Sequence, residues 1–202
     1  MQELPDPRDV LVRTFGAGGE AALTVAPGRV NLIGEHIDYH GLPVLPIAIR
    51  RRVRVAFRPR ADRTVRAVSA GYGPREFEWT PDLAPRAAGD WENYLRAAAR
   101  VVDSLRLRPA ASCRGVDAAV VSDLPAAAGL SSSSALIVAF TLALLAANRL
   151  HAGFEELMEV LPEGEQFVGT RGGGMDHAAA LASRVGCASL IGFEPLSGRP
   201  PP

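Results

Sequence analysis

Gly129-Leu130-Ser131-Ser132-Ser133-Ser134-Ala135 stands directly before an apolar run, Leu136 to Ala147. A turn of small and hydroxyl residues opening an apolar helix leaves that helix's first backbone N–H groups without internal partners. It does so at the positive end of the helix dipole. Two readings follow. The turn is a cradle for phosphate, with serine hydroxyls adding donors, or it is an ordinary serine N-cap on a core helix. Both make residues 136–147 a buried helix. The run is too short to span a bilayer, which needs ~20 apolar residues.

Working outward, Leu23-Thr24-Val25-Ala26 reads as a short strand and Val44 to Ile49 as a buried one. Val53, Val55 and Phe57 alternate with Arg52, Arg54 and Arg58, the two-residue period of a half-buried strand. Thr64 to Ser69 is expected to pair with it across a turn at Arg60-Ala61-Asp62. Trp91, Tyr94, Leu95, Ala98, Val102 and Leu105 follow helical spacing. Val116 to Val121 reads as a strand, Phe154 to Val160 as a helix, Met175 to Ser183 as a short helix and Ala188 to Phe193 as a last strand. The tail Ser197-Gly198-Arg199-Pro200-Pro201-Pro202 is expected to hold no regular structure. Strands and helices mix without the regular alternation of a doubly wound sheet, which favours an α+β layer fold.

The bulk composition narrows the function classes. The chain has 202 residues, 48% of them apolar, enough for one domain with a real core. Arg numbers 22, Asp plus Glu 22, and Lys is absent. A zero net charge offers no nucleic-acid or membrane surface. The cluster Arg50-Arg51-Arg52-Val53-Arg54 reads as the solvent face of a strand. Cys113 and Cys187 cannot build a disulfide framework or a metal cluster. The start Met1-Gln2-Glu3-Leu4-Pro5-Asp6 has no apolar segment, so no signal peptide is expected. A cytoplasmic setting is the default.

Two further polar clusters carry chemistry. Arg29, Asn31, Glu35, His36 and Asp38 lie among Gly28, Gly34 and Gly41. Their carboxylates, imidazole and guanidinium suit a polyhydroxylated ligand; a solvated turn with an internal ion pair is the plain alternative. Gly172-Gly173-Gly174-Met175-Asp176-His177 lets backbone approach a ligand closely and delivers a carboxylate at a helix start. Asp176 as a simple helix cap is the alternative there. The serine turn lacks the lysine of a G-x-x-x-x-G-K-[ST] loop. Backbone amides, hydroxyls and Mg²⁺ would therefore have to hold ATP phosphates. A carboxylate, an arginine and a phosphate cradle together suggest phosphoryl transfer to a hydroxyl.

The segment Pro27-Gly28-Arg29-Val30-Asn31-Leu32-Ile33-Gly34-Glu35-His36-Ile37-Asp38-Tyr39 resembles the galactokinase signature. The serine turn resembles the phosphate loop of the GHMP kinases (galactokinase, homoserine kinase, mevalonate kinase, phosphomevalonate kinase). The glycine segment ending in Met175-Asp176 and the stretch Trp91-Glu92-Asn93-Tyr94 are similar to further family motifs. The resemblance runs from about Phe15 to Leu196. It implies a ribosomal protein S5 domain 2-like fold, a mixed sheet packed with helices. It implies a sugar-binding segment that starts within 1–22, an ATP- and sugar-binding N-terminal domain over 23–196, a proline-rich tail over 197–202 and no C-terminal GHMP domain.

The resemblance also implies ATP-dependent phosphorylation of a sugar at its C1 hydroxyl, with ATP and Mg²⁺ as cofactors. Asp176 would act as base or hydroxyl-orienting carboxylate, and Arg29 would stabilise the transferring group. Glu35, His36 and Asp38 would bind sugar hydroxyls, with Gly173 near the ring. Gly129, Ser131, Ser132 and Ser133 would contact ATP phosphates, Trp91 would lie near the nucleotide, and Ser132 and Glu165 would meet the metal. Small molecules are the implied partners, with no nucleic acid, no membrane and a monomer when complete. Departures from the family are Ala126, Ala127 and Ala128 in place of glycines, and His40 in place of Asn. The four serines, Ile37 and the triple glycine resemble the N-acetylgalactosamine kinase branch, so the sugar stays open between galactose and a related hexose. A non-catalytic sugar- or ATP-binding protein is the competing reading, and a kinase of a non-sugar alcohol a third.

Overall fold

The structure is a computed structural model and describes residues 4–107, 109, 112–125, 128–169, 173–184, 186–193 and, for the backbone, 196–199. The serine turn is followed by α3 (Ser132–Ala147), which is apolar around its whole circumference. A helix of that kind has to lie inside the protein, and α3 does. Ile137, Val138, Ala139, Phe140, Ala143 and Leu144 are at most 1% exposed. No helix among the described residues is long and apolar enough to cross a membrane.

Around α3 the other elements form two layers. A five-stranded sheet runs in the order β1-β2-β5-β3-β4, from β1 (Ala22–Asn31), β2 (Pro46–Pro59), β3 (Thr64–Ser69), β4 (Tyr72–Glu78) and β5 (Val116–Ser122). The helices α2 (Glu92–Ser104), α3, α4 (Phe154–Phe167) and α5 (Met175–Ala182) share one core, which takes in Ala26, Val53, Val55, Phe57, Val65 and Val120 from the sheet. Thr24 ties β1 to α3 by donating its hydroxyl to the Ala139 carbonyl at 2.8 Å. Gly164 lets α4 sit close on α2, since a Cβ there would come within 2.9 Å of Val101. The α+β class read from the sequence is the class observed.

The other face of the sheet carries α1 (Pro7–Phe15), a helix the periodicity did not reveal. Its signals are local: Asp6 accepts from the Arg8 amide at 2.8 Å as N-cap, and Pro7 occupies the first turn. Leu11 packs on Ala56 of β2 and Ala119 of β5. Cover on both faces also explains Arg58, expected on a solvent face but only 9% exposed. It lies beneath Gly18, where a Cβ would meet its guanidinium at 2.1 Å. Arg50, Arg51 and Arg52 are exposed, as expected.

Three other expectations need correction. The turn at Arg60–Asp62 does not join β2 to β3 as a hairpin. β5 lies between them, antiparallel to β2 and parallel to β3. The turn's backbone groups pair with the strand that intervenes: Arg60 N–H donates to the Gly115 carbonyl at 2.9 Å, and Gly115 N–H to the Asp62 carbonyl at 2.8 Å. Second, Val44 forms only an isolated bridge to Ile191, and continuous strand begins at Pro46. Third, the tail is regular as far as Arg199. β7 (Leu196–Arg199) pairs with β6 (Leu190–Phe193) as an antiparallel hairpin, because the first proline of the tail stands beyond Arg199. Residues 200–202, Ala126, Ala127 and Gly172 lie outside the described residues.

Candidate active site

β1 delivers Arg29, and a register shift between Pro27 and Arg29 bends the strand there. Gly28 permits the bend. A Cβ would lie 2.4 Å from a Leu124 methyl and 2.7 Å from the Leu130 carbonyl. Without one, Arg29 N–H reaches that carbonyl at 3.4 Å, and β1 is joined to the serine turn. The Arg29 guanidinium then bridges two distant motifs. It donates to Gly129 O at 2.8 Å and to Asp176 Oδ1 through both Nε and Nη2 at 2.6 Å. Charge-assisted contacts of this kind are the strong class of hydrogen bond.

The serine turn closes on the same carboxylate. Ser131 adopts a left-handed backbone, φ 56°, which non-glycine residues populate at a cost. Its hydroxyl donates to Asp176 Oδ2 at 2.5 Å. Ser134, 1% exposed, donates to Glu165 Oε1 of α4 and stands 3.4 Å from Asp176 Oδ2.

The glycine segment is held by Asp38, which sits in a short 3-10 turn (Asp38–His40). Asp38 Oδ2 accepts from Gly173 N–H at 3.1 Å and Met175 N–H at 3.3 Å. Gly173 rests directly on that turn: a Cβ would meet Tyr39 N at 2.4 Å and Asp38 Cγ at 2.6 Å. Glu35 accepts from Asn31 at 3.0 Å, and His36 takes a left-handed backbone, φ 59°. Both stay exposed at the cleft.

These residues enclose a cavity of about 240 Å³ bordered by Arg29, Glu35, His36, Asp38, Glu165 and Asp176. A second cavity of about 320 Å³ lies beside it, bordered by Tyr72, Trp91, Tyr94, Leu124, Ser132 and Leu136. Ser133 borders both. Charged groups line one compartment, and aromatic, apolar and serine side chains the other, with the amino end of α3 at their junction.

Electrostatically, four carboxylates (Glu35, Asp38, Glu165, Asp176) share this region with one arginine. Burial pushes the Glu165 carboxyl up; the Ser134 hydrogen bond and Arg29 oppose that rise, and the charges of Asp176 and Asp38 add to it. Burial pushes His177 down to about 4, partly offset by Asp176. His177 is 0% exposed, so its imidazole is neutral. Its Nε2 lies 3.8 Å from Glu165 Oε1.

The structure brings together Arg29, Glu35, His36, Asp38, Ser133, Glu165 and Asp176 from all three sequence clusters. Gly129, Ser131 and Gly173 touch them by hydrogen bond or close packing. Trp91 and Ser132 line the adjoining compartment. The expected metal pair Ser132–Glu165 is not brought together. Successive residues on a helix point about 100° apart, so Ser132 faces the apolar cavity and Ser134 meets Glu165. Ser134 and His177 are further residues of the site. Ser134 was readable only as one of four serines, and His177 had no sequence signal beyond its place after Asp176.

Residues 12–59 match the galactokinase galactose-binding signature, and residues 93–184 match the GHMP kinases N terminal domain. The galactokinase of Roseiflexus sp. (strain RS-1) is 42% identical over 180 residues, covering 88% of this chain and 44% of that protein. The galactokinase of Saccharomyces cerevisiae is 34% identical over 187 residues, covering 84% of this chain and 35% of that protein. The chain thus spans less than half the length of these curated relatives. Among solved structures, Lactococcus lactis galactokinase complexed with galactose superposes with a TM-score of 0.88 at 26% identity, over 96% of this chain and 50% of that one. Methanococcus jannaschii mevalonate kinase shares the fold, with a TM-score of 0.72 at 17% identity, over 90% of this chain and 56% of that one. The chain belongs to the GHMP kinases, in the galactokinase branch, and comprises their N-terminal domain.

Proposed function

We propose that this domain serves ATP-dependent phosphorylation of galactose, or a closely related hexose, at the C1 hydroxyl. The observation that carries the reading is the position of Asp176. It is gripped by Arg29 where the polar cavity meets the amino end of α3. The sugar occupies the polar compartment, with Glu35, His36 and Asp38 exchanging hydrogen bonds with its hydroxyls. The nucleotide base lies against Trp91 and Leu136, and its phosphates meet the Ser131–Ser133 backbone.

In the reaction, the C1 hydroxyl donates its proton toward Asp176 as its oxygen bonds to the γ-phosphorus. The bond from that phosphorus to the β–γ bridging oxygen breaks, and ADP leaves. Arg29 orients Asp176 through its two contacts with Oδ1 and offsets charge on the transferring group. The Ser131 hydroxyl donates to Asp176 Oδ2, so sugar must displace or share that contact.

Hard cations such as Mg²⁺ take oxygen ligands. The Ser133 hydroxyl, the Glu165 carboxylate and the excess of carboxylate over arginine fit such an ion. No group of three or more His, Cys, Asp or Glu side chains suited to a metal occurs among the described residues. Phosphate oxygens would therefore supply the other ligands. When bound, the ion neutralises phosphate charge. Action in the cytoplasm as a monomer belongs to the same reading.

Asp176→Asn tests it. ATP-dependent sugar phosphorylation is expected to fall by at least ~100-fold, with galactose binding by calorimetry kept within a few-fold. Near-normal turnover in that variant would remove Asp176 from the chemistry.

A further inference from the structure

Ser134 has no part in the phosphate contacts above. It is the third residue of α3, is 1% exposed, and faces α4 and α5 at once. Its Oγ donates to Glu165 Oε1 and lies 3.4 Å from Asp176 Oδ2. The surrounding helix is built of Ala135, Ile137, Val138 and Ala139. Alanine would suit this position better on packing and propensity alone, because it buries no polar group. A hydroxyl carries one proton and can donate to one carboxylate at a time. The shorter contact shows that it goes to Glu165. His177 stands 3.8 Å from the same carboxylate oxygen, beyond hydrogen-bond range.

We propose that Ser134 is a positioning residue. Its hydroxyl fixes the Glu165 carboxylate relative to Asp176, so that the oxygens facing the nucleotide's cation and the proton-accepting carboxylate are held as one unit across α3, α4 and α5. The inference rests on the reading of Glu165 as a cation-facing carboxylate. Ser134 supports that carboxylate from outside the coordination shell. Supporting partners of this kind typically change metal affinity by about 10–100-fold when removed.

The test is a double-mutant cycle on this 202-residue chain with Ser134→Ala, Glu165→Gln and both together. Mn²⁺ uptake in the presence of a non-hydrolysable ATP analogue is read by electron paramagnetic resonance, with galactose binding and thermal melting measured alongside. Ser134→Ala is expected to weaken Mn²⁺ uptake by about tenfold or more, to leave galactose binding within about twofold, and to have little effect once Glu165 is Gln. Ser134→Cys keeps the shape with a weaker donor and is expected to fall between wild type and Ser134→Ala. Equal losses in both backgrounds, or an Ala variant whose only change is a lower melting temperature, would overturn the inference. A Glu165→Gln chain with unchanged Mn²⁺ uptake would also overturn it. If wild type takes up neither nucleotide nor Mn²⁺, the proposed function itself fails. Intact nucleotide uptake without coupling between the two positions would sink the role of Ser134 alone.

Discussion

Gly173→Ala puts the joint between the sugar-facing turn and the glycine segment under direct load. The added Cβ would lie 2.4 Å from Tyr39 N, 2.6 Å from the Asp38 carbonyl carbon and 2.6 Å from Asp38 Cγ. Two of those three atoms are backbone, so no rotamer change relieves the overlap, and the loops have to part. Overpacking of this kind costs about 1–3 kcal/mol. Parting the loops also weakens the Gly173 and Met175 amide bonds to Asp38 Oδ2. Hydrogen bonds to a charged acceptor contribute about 1.5–3 kcal/mol each. A total loss of about 3 kcal/mol is expected, which for a chain of this size lowers the melting temperature by roughly 6–12 °C. Because Asp38 moves with the turn, galactose affinity by calorimetry should fall at least about tenfold, the equivalent of ~1.4 kcal/mol. Gly19→Ala is the control. A Cβ there has nothing within 4 Å, and the change should stay within about 0.5 kcal/mol. A Gly173→Ala chain that melts within a degree of wild type would show that the two loops do not interlock.

Three further outcomes are expected. His177 titrates near 4 in the folded chain against an ordinary 6.5. The unfolded chain therefore gains a proton first, and the contribution of His177 to stability, complete above about pH 7, should fall by about 2 kcal/mol between pH 8 and pH 5 and level off below 4. Urea midpoints of wild type and His177→Gln should converge on acidification, and parallel pH slopes would count against a buried neutral imidazole. Asn148, 3% exposed, accepts from Arg114 N–H at 2.7 Å and donates to Arg114 O at 3.1 Å and Leu144 O at 2.9 Å. Asn148→Ala should cost about 1–3 kcal/mol in urea unfolding by leaving the Arg114 N–H and carbonyl without their partner, and a loss under about 0.5 kcal/mol would show that these bonds carry no stability. Of the two tryptophans, Trp91 borders the apolar cavity, while Trp79 is fully buried against Asp103. An adenine nucleotide should quench the fluorescence of Trp79→Phe but not of Trp91→Phe; the reverse pattern would move the base out of that cavity.

Much of this was legible in the sequence because the signals were local. The two-residue period at Val53, Val55 and Phe57 and the apolar run after the serines lie within single elements, and β3 and β5 were read within a residue of their bounds. The parallel pairing of β3 with β5 was not legible. It joins Arg66 to Asp117 across an intervening helix, and the turn at Arg60–Asp62 resembles a hairpin until its backbone bonds go to Gly115. β4 carries Gly73 and Pro74, poor strand formers that an edge position tolerates. At the site, the residue types were readable but not their pairing. Which serine meets Glu165 depends on the rotation of α3 about its axis, and that is set by packing all around a helix with no polar side.

The place of β5 between two hairpins has a consequence for the order in which the chain folds. β1 with β2, and β3 with β4, pair close in sequence. β5 has to arrive after α2 and seat against both hairpins, antiparallel to one and parallel to the other. Pairings of that range are slow. Until β5 arrives, β2 and β3 each present an open edge bearing Val53, Val55, Val65 and Ala67, which favours association with other chains. Pulse-labelled hydrogen exchange should find amides of the β1–β2 pair protected before those between β2 and β5, and simultaneous protection would refute that order. Arg29 therefore belongs to a piece that assembles early, whereas Ser131 to Ser134 follow β5 in the chain and meet Asp176 only in the last stage.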